Sequence, residues 1–221
     1  MSDTLALREQ SLEVSKMFHE IKNPLTLINS SLQLIEDEHP EVRNFRFWNQ
    51  TIKDVQVLRS LINDMSSFQK CTFLKPSKVS LFDFLEDLLE STESYFERSG
   101  KTLVVENLVG DVDFYADELK MRQAVVNLLK NAVESTSCDS PIILILTKGT
   151  HCLMISVCDR GCGINEADIS RIFEPYHTTK SYGTGLGLPI VKKIVDAHDG
   201  RLFIESGEGA GTTITIALPL L

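Results

Sequence analysis

Residues 14–35 read VSKMFHEIKNPLTLINSSLQLI. Their apolar members Val14, Phe18, Ile21, Leu25, Ile28, Leu32 and Ile35 step by 4, 3, 4, 3, 4, 3. That spacing is the seam of a bundle or coiled-coil helix. A helix over about residues 4–38 would be roughly 50 Å long at ~1.5 Å per residue. His39-Pro40 ends it, because proline disfavours helix in the residue before it. A second pattern follows in Phe45, Trp48, Ile52, Val55, Leu58, Ile62 and Met65. Two long helices with a short connection form an antiparallel hairpin. Alone, the hairpin leaves its seam half exposed; a second copy would close it as a four-helix homodimer.

Outward from the hairpin the composition changes. All 12 glycines lie at or after Gly100. A glycine-free stretch suits long helices, since glycine in a helix costs ~1 kcal/mol relative to alanine. A linker is expected over 71–77, around Pro76. Ser80-x-x-Asp83 reads as a helix start and Gly100 as its stop. Short strands are expected at 103–106 and 113–115, then a helix capped by Asp117 and running to about Thr136. Buried strands follow at 142–147 and 153–159, and a loop-rich stretch at 160–184. A helix then runs to Gly200, and strands at 201–205 and 212–218 close the chain. The second half is thus an α/β sandwich, a mixed sheet with helices on one face.

Composition narrows the function. Of 221 residues, 31 are acidic and 22 basic, a net charge of −9. A general nucleic-acid binder needs a basic face, so nucleic acid is not an expected partner. Hydrophobic content of 43% and charged content of 24% exclude wholesale disorder. The longest strongly apolar run, residues 142–146, is too short to cross a bilayer, so no membrane segment is expected in this chain. The N-terminus lacks a signal-peptide pattern, and five cysteines form no even framework. The cytoplasm is the expected compartment.

Chemistry concentrates in a few short motifs. In FHEIKNPL (18–25), His19 lies one position off the seam, with Glu20 beside it to take a ring proton and sharpen the other nitrogen as a nucleophile. Pro24 removes an amide hydrogen and crowds the Glu20 carbonyl, loosening the helix there at a cost of ~3 kcal/mol. Asn127 and Asn131 share one face of a helix, and their carbonyls are hard oxygen ligands suited to Mg2+. Asp159, at a strand end before Gly161 and Gly163, can accept from an exocyclic amine such as that of adenine. The turn GTGLGL (183–188) opens a helix, where glycine amides cradle phosphate.

In order, these motifs resemble the core of a two-component sensor histidine kinase. FHEIKNPL resembles the H box, NLLKNAVES (127–135) the N box and DRGCGI (159–164) the first glycine box. FEPYHTTK (173–180) resembles the F box, GTGLGL the second glycine box and GTTITIALP (211–219) the closing strand. The H box is similar to that of bacterial nitrogen-regulation and sporulation kinases. The resemblance covers nearly the whole chain. It implies a dimerisation and histidine-phosphotransfer hairpin over 1–72 and a catalytic ATP-binding domain of the Bergerat fold over 73–221.

Carried over residue by residue, the resemblance makes His19 the phosphoacceptor, Glu20 its general base and Asn23 a residue of the reverse, phosphatase reaction. Asn131 would ligate Mg2+ with Asn127 in the same site. Asp159 would read adenine, with Gly161 and Gly163 shaping the pocket and Thr212 placing a hydroxyl near it. Gly183, Thr184, Gly185, Leu186 and Gly187 would face the phosphates of ATP. Lys130 and Lys180 stand open between phosphate partner and solvated lysine. Phe173 is expected to anchor, by packing, a lid of residues 164–182. Tyr176 replaces a common phenylalanine, a tolerable change. Cys162 reads as an inert small residue, and His177 and His198 as bystanders without evident partners.

The implied activity is ATP-dependent autophosphorylation of His19 in a homodimer, then transfer to an aspartate of a response regulator receiver domain. An anti-sigma-type serine kinase would share the nucleotide fold but needs no such hairpin, so residues 1–70 argue against it. A scaffold with a dead ATP site is opposed by the intact asparagine, aspartate and glycine positions. No sensor, membrane span or receiver domain fits in the 18 residues before His19, and Met1 leaves open whether the chain is complete or the core of a longer kinase.

Overall fold

The computed structural model describes residues 2–71, 73–137, 139–180 and 183–220, with side chains for all of these except residues 2–15 and His19. The chain divides into two compact units, Met1–Lys70 with Thr178–Leu186, and Cys71–His177 with Gly187–Leu221. Among the described residues, no helix is long and apolar enough to cross a membrane.

The first unit is the hairpin. Helix α1 spans Ser2–Glu38 and continues through Pro24. Just past the proline, the Thr26 hydroxyl donates back to the Lys22 carbonyl four residues earlier at 2.8 Å. A 3-10 turn, Pro40–Asn44, reverses the chain. Helix α2, Trp48–Lys70, begins later than the apolar spacing predicts. Phe45 lies before it in extended backbone and is exposed, because the turn consumes the residues that would have begun the helix. Glu36 ties the turn together, accepting from Arg43 Nε at 2.5 Å and from Trp48 Nε1 at 3.4 Å.

Only part of the seam is covered within the hairpin. Phe18, Leu25 and Ile62 are buried, with Val55 and Met65 packed against them. Ile21, Ile28, Ile35 and Leu58, from the same two apolar series, stay exposed.

The second unit is an α/β sandwich. Strand β1, Ser77–Ser80, pairs antiparallel with β3, Asp113–Ala116, as a small sheet, and Phe84 meets Phe114 edge-to-face at 5.6 Å. Helix α3, Leu81–Ser99, starts where the Ser80 hydroxyl accepts from Asp83 N–H and ends at Gly100. Strand β2 is Leu103–Asn107, helix α4 is Glu118–Ser135, and β4 and β5 are Ile142–Lys148 and Cys152–Asp159. A short helix α5, Glu166–Ile169, interrupts the loop before α6, Gly187–Ala197. Strands β6, Arg201–Gly207, and β7, Gly211–Pro219, complete a five-stranded sheet ordered β2-β4-β5-β7-β6. Its one parallel pair is β2 with β4, as a mixed sheet requires.

Alternation puts one face of this sheet in the core. Leu144 faces Val157 in register, Leu146 faces Ile155, and Ile155 faces Ile216; all are buried. Against them lie Met121, Ala124, Val125, Leu128 and Leu129 of α4 and Ile190, Val191, Ile194 and Val195 of α6.

Asp117 fixes where α4 begins. Its Oδ1 accepts from Lys120 N–H and its Oδ2 from Lys75 N–H. Its own backbone N–H donates to His198 Nε2 at 2.9 Å, so Nε2 bears the lone pair and Nδ1–H donates to the Ile194 carbonyl at 2.7 Å. His198 is therefore a buried structural tie with two partners, not the partnerless bystander expected from sequence. His198→Ala strands the Asp117 amide without an acceptor and should lower stability by about 1–3 kcal/mol. Urea unfolding of wild type and variant at neutral pH measures this, and equal midpoints would show that the tie contributes nothing.

Candidate active site

Helix α4 carries one polar face through the second unit. Asn127, Asn131 and Ser135 recur every fourth residue and so line up along it. The face receives two glycine motifs. Asn127 Nδ2 donates to the carbonyl of Gly187, the first residue of α6, at 3.4 Å. A Cβ at Gly187 would lie 3.6 Å from Asn131 Nδ2, in ordinary van der Waals contact, so Asn131 also stands beside the start of α6. At the other end, the Ser135 carbonyl accepts from Cys162 N–H at 3.1 Å.

The turn after β5 is built around Asp159, whose Oδ1 accepts from Gly161 N–H at 2.8 Å. A Cβ at Gly161 would fall 2.3 Å from the Ser135 carbonyl oxygen, so no other residue fits there without moving α4. Gly163 adopts φ 69, a left-handed conformation, and a Cβ there would collide with the Gly207 carbonyl at 1.9 Å. Thr212 faces Asp159 directly across β5 and β7 and is buried. Ser206 Oγ donates to the Gly211 carbonyl and accepts from Ile164 N–H, so Thr212 Oγ1 is the donor in their 2.9 Å contact. The structure thus gathers Asn127, Asn131 and Gly187 along α4, and Asp159, Gly161, Gly163 and Thr212 at its C-terminal end.

These donors suit a nucleotide with a hard cation. Asn127 directs its amide nitrogen to Gly187 and keeps its oxygen as an acceptor, and Asn131 stands one turn away. Amide oxygens are ligands that Mg2+ accepts alongside phosphates and water. Among the described residues no cluster of three or more His, Cys, Asp or Glu could hold a metal.

Lys130 is placed elsewhere. Its Nζ lies 5.8 Å from the ring of Tyr95, in a hollow between α3 and α4 that Arg98 also lines. The helix turns ~100° per residue, which sends Lys130 toward α3 while Asn131 faces Gly187. Burial, and secondarily the Glu134 carboxylate, push the Tyr95 hydroxyl up to about 12, so it stays protonated beside the ammonium. In the loop, Asn165 caps α5 by accepting from Ala167 N–H. Phe173 is half-buried, and Tyr176 is exposed at φ 68. His177 Nε2 lies 3.7 Å from Asp168 Oδ1, an acidic neighbour that the sequence did not reveal. Positions 181 and 182 of the expected lid lie outside the described residues. Cys162 is a free, exposed thiol.

The first unit holds the remaining candidates. The side chain of His19 lies outside the described residues; its backbone belongs to α1, between buried Phe18 and exposed Glu20. Asn23 is exposed one turn further on. Lys180 N–H donates to Thr178 Oγ1, and Gly183 N–H to the Lys180 carbonyl. Thr184 Oγ1 accepts from the N–H of Leu186, which is fully buried, and donates to Asp64 Oδ2 at 2.7 Å. Asp64, on α2, belongs to none of the sequence motifs.

Residues 9–71 match the His Kinase A (phospho-acceptor) domain, and residues 116–221 match the family of histidine kinase-, DNA gyrase B- and HSP90-like ATPases. The chain has the catalytic core of a two-component histidine kinase. This kinase core is similar to sporulation kinase B of Bacillus subtilis, 28% identical over 99% of this chain and 54% of that protein. It is also similar to the autoinducer 2 sensor kinase/phosphatase LuxQ of Vibrio parahaemolyticus, 30% identical over 94% of this chain and 26% of that protein. The core therefore spans about half or less of the length of these relatives. Full-length ShkA, crystallised with AMPPNP, has the same fold, with a TM-score of 0.76 over 96% of this chain and 46% of that one at 24% identity.

Proposed function

We propose that this kinase core transfers the γ-phosphoryl group of ATP to His19 and from there to an aspartate of a response regulator receiver domain. The observation that carries the reading is the α4 face, where the N-box asparagines meet Gly187 and the first glycine box closes on Ser135. Asp159 and Thr212 receive the adenine, and the 183–187 turn and Lys180 receive the phosphates. Asn131 and Asn127 would hold Mg2+, which would neutralise charge on the phosphates. Glu20 draws the proton from one imidazole nitrogen while the other attacks phosphorus. The nitrogen–phosphorus bond forms as the bond to ADP breaks, and the second transfer yields an acyl phosphate and free His19. We place the hairpin function in 1–72 and the catalytic function in 73–221, and the reaction in the cytoplasm. Incubation with γ-labelled ATP and Mg2+ tests the reading: label stable in alkali and lost in acid is expected, and an unlabelled chain would refute it.

The exposed half of the seam supports a homodimer. Ile21, Ile28, Ile35 and Leu58 are large exposed apolar side chains of the same series whose members Phe18, Leu25, Val55, Ile62 and Met65 pack within the hairpin. Light scattering at micromolar concentration should give about twice 24.8 kDa, and an active monomer would overturn the dimer.

Asn23 stands one turn beyond His19 and is exposed, where its amide can orient water toward an acyl phosphate on a docked regulator. Asn23→Ala should leave autophosphorylation in place and slow regulator dephosphorylation by ~10–100-fold. The decay of a phosphorylated cognate regulator with ADP present checks this. Parallel loss of kinase activity, phosphatase activity and thermal stability would instead make Asn23 a brace for the helix at Pro24.

A further inference from the structure

Thr184 lies within the 183–187 turn proposed to cradle the phosphates of ATP. Its hydroxyl has one proton to give, and it gives that proton to the Asp64 carboxylate at 2.7 Å. The same oxygen accepts from Leu186 N–H, so the hydroxyl is oriented from both sides. Both partners of the 2.7 Å bond lie in the hairpin unit, which includes Thr178–Leu186 along with the two helices. A carboxylate here puts an anion where the turn would meet phosphate oxygens. Two acceptors cannot share one donor, and a carboxylate and a triphosphate repel.

We propose that Asp64 is a latch. Its carboxylate holds the 183–186 turn on α2 through the Thr184 hydroxyl, and ATP must displace it to engage Thr184. The proposal rests on the reading of 183–187 as a phosphate-binding turn and adds a regulatory element to that site. Anything that shifts α2 relative to the turn then alters ATP affinity through this one hydrogen bond, without touching the pocket around Asp159. Asp64 is half-buried, and the cluster of Phe18, Leu25, Ile62, Val55 and Met65 does not include it. Substitution there leaves the hairpin core alone, and alanine is the strongest helix former.

The test uses the full chain and two readouts. Without nucleotide, hydrogen exchange of the amides of residues 183–186 should be faster in Asp64→Ala than in wild type. With Mg2+, the same variant should bind ATP roughly three- to tenfold more tightly, the scale of losing one competing charge-assisted hydrogen bond at a half-exposed site. Asp64→Asn keeps an acceptor without the charge, so its exchange should stay near wild type while its affinity rises. Unchanged exchange in Asp64→Ala overturns the latch, as does faster exchange with unchanged or weaker ATP binding. A wild-type chain that binds no ATP, yet shows the exchange difference, refutes the nucleotide reading and reduces Asp64 to a structural tie.

Discussion

His19→Gln is expected to abolish incorporation of label from γ-labelled ATP while leaving ATP affinity unchanged. Glutamine fills a similar volume but offers an amide nitrogen whose lone pair is delocalised, so it cannot attack phosphorus as a neutral imidazole does. Its position on α1 makes the change local, since the buried neighbours Phe18 and Leu25 keep the hairpin packed. ATP affinity should hold because the residues proposed to read adenine and hold Mg2+, namely Asp159, Thr212, Asn127 and Asn131, lie in the unit that does not contain His19. Glu20→Gln gives the graded comparison. It keeps the nucleophile and removes the base, so label should still appear, at a rate lower by roughly 10²–10⁴-fold. Acid-labile label on His19→Gln would move the acceptor to another residue.

Local signals were legible in the sequence and distant ones were not. The Ser80 and Asp117 caps and the Gly100 stop were readable because a cap is decided within four residues. Strand β1 was not, because Ser77, Lys78, Val79 and Ser80 carry no apolar alternation. It exists by pairing with β3 and burying Val79 beside Phe114. The start of α2 slipped past Phe45 because periodicity does not see a 3-10 turn. Of the site, the sequence supplied the asparagine pair and the glycine boxes as ordered motifs, which the α4 face joins through Gly187 and Ser135. It left Lys130 open, and it held no sign of the Tyr95 ring that lies beside its ammonium on a neighbouring helix. His198 meets Asp117 across 81 positions and Asp64 meets Thr184 across 120, separations at which one sequence holds no signal.

Asp159→Asn should weaken ATP binding ten- to a hundredfold, about 1.5–3 kcal/mol, without disturbing the turn that holds it. The two side chains have the same shape. The oxygen that accepts from Gly161 N–H at 2.8 Å is present in both, so the first glycine box keeps its anchor. Only the second terminal atom changes, from an acceptor to an NH2 donor. We assign that atom to the exocyclic amine of adenine, which is itself a donor, so the variant sets two donors against each other. Guanine carries a carbonyl at the corresponding ring position, which the wild-type carboxylate repels and the variant amide can meet. The ratio of ATP to GTP affinity should therefore fall further than ATP affinity alone. A general collapse of the pocket would weaken both nucleotides together, and thermal unfolding without nucleotide would then drop as well. Titration of both chains with fluorescent ATP and GTP analogues separates the cases, and unchanged ATP binding would place the adenine away from Asp159.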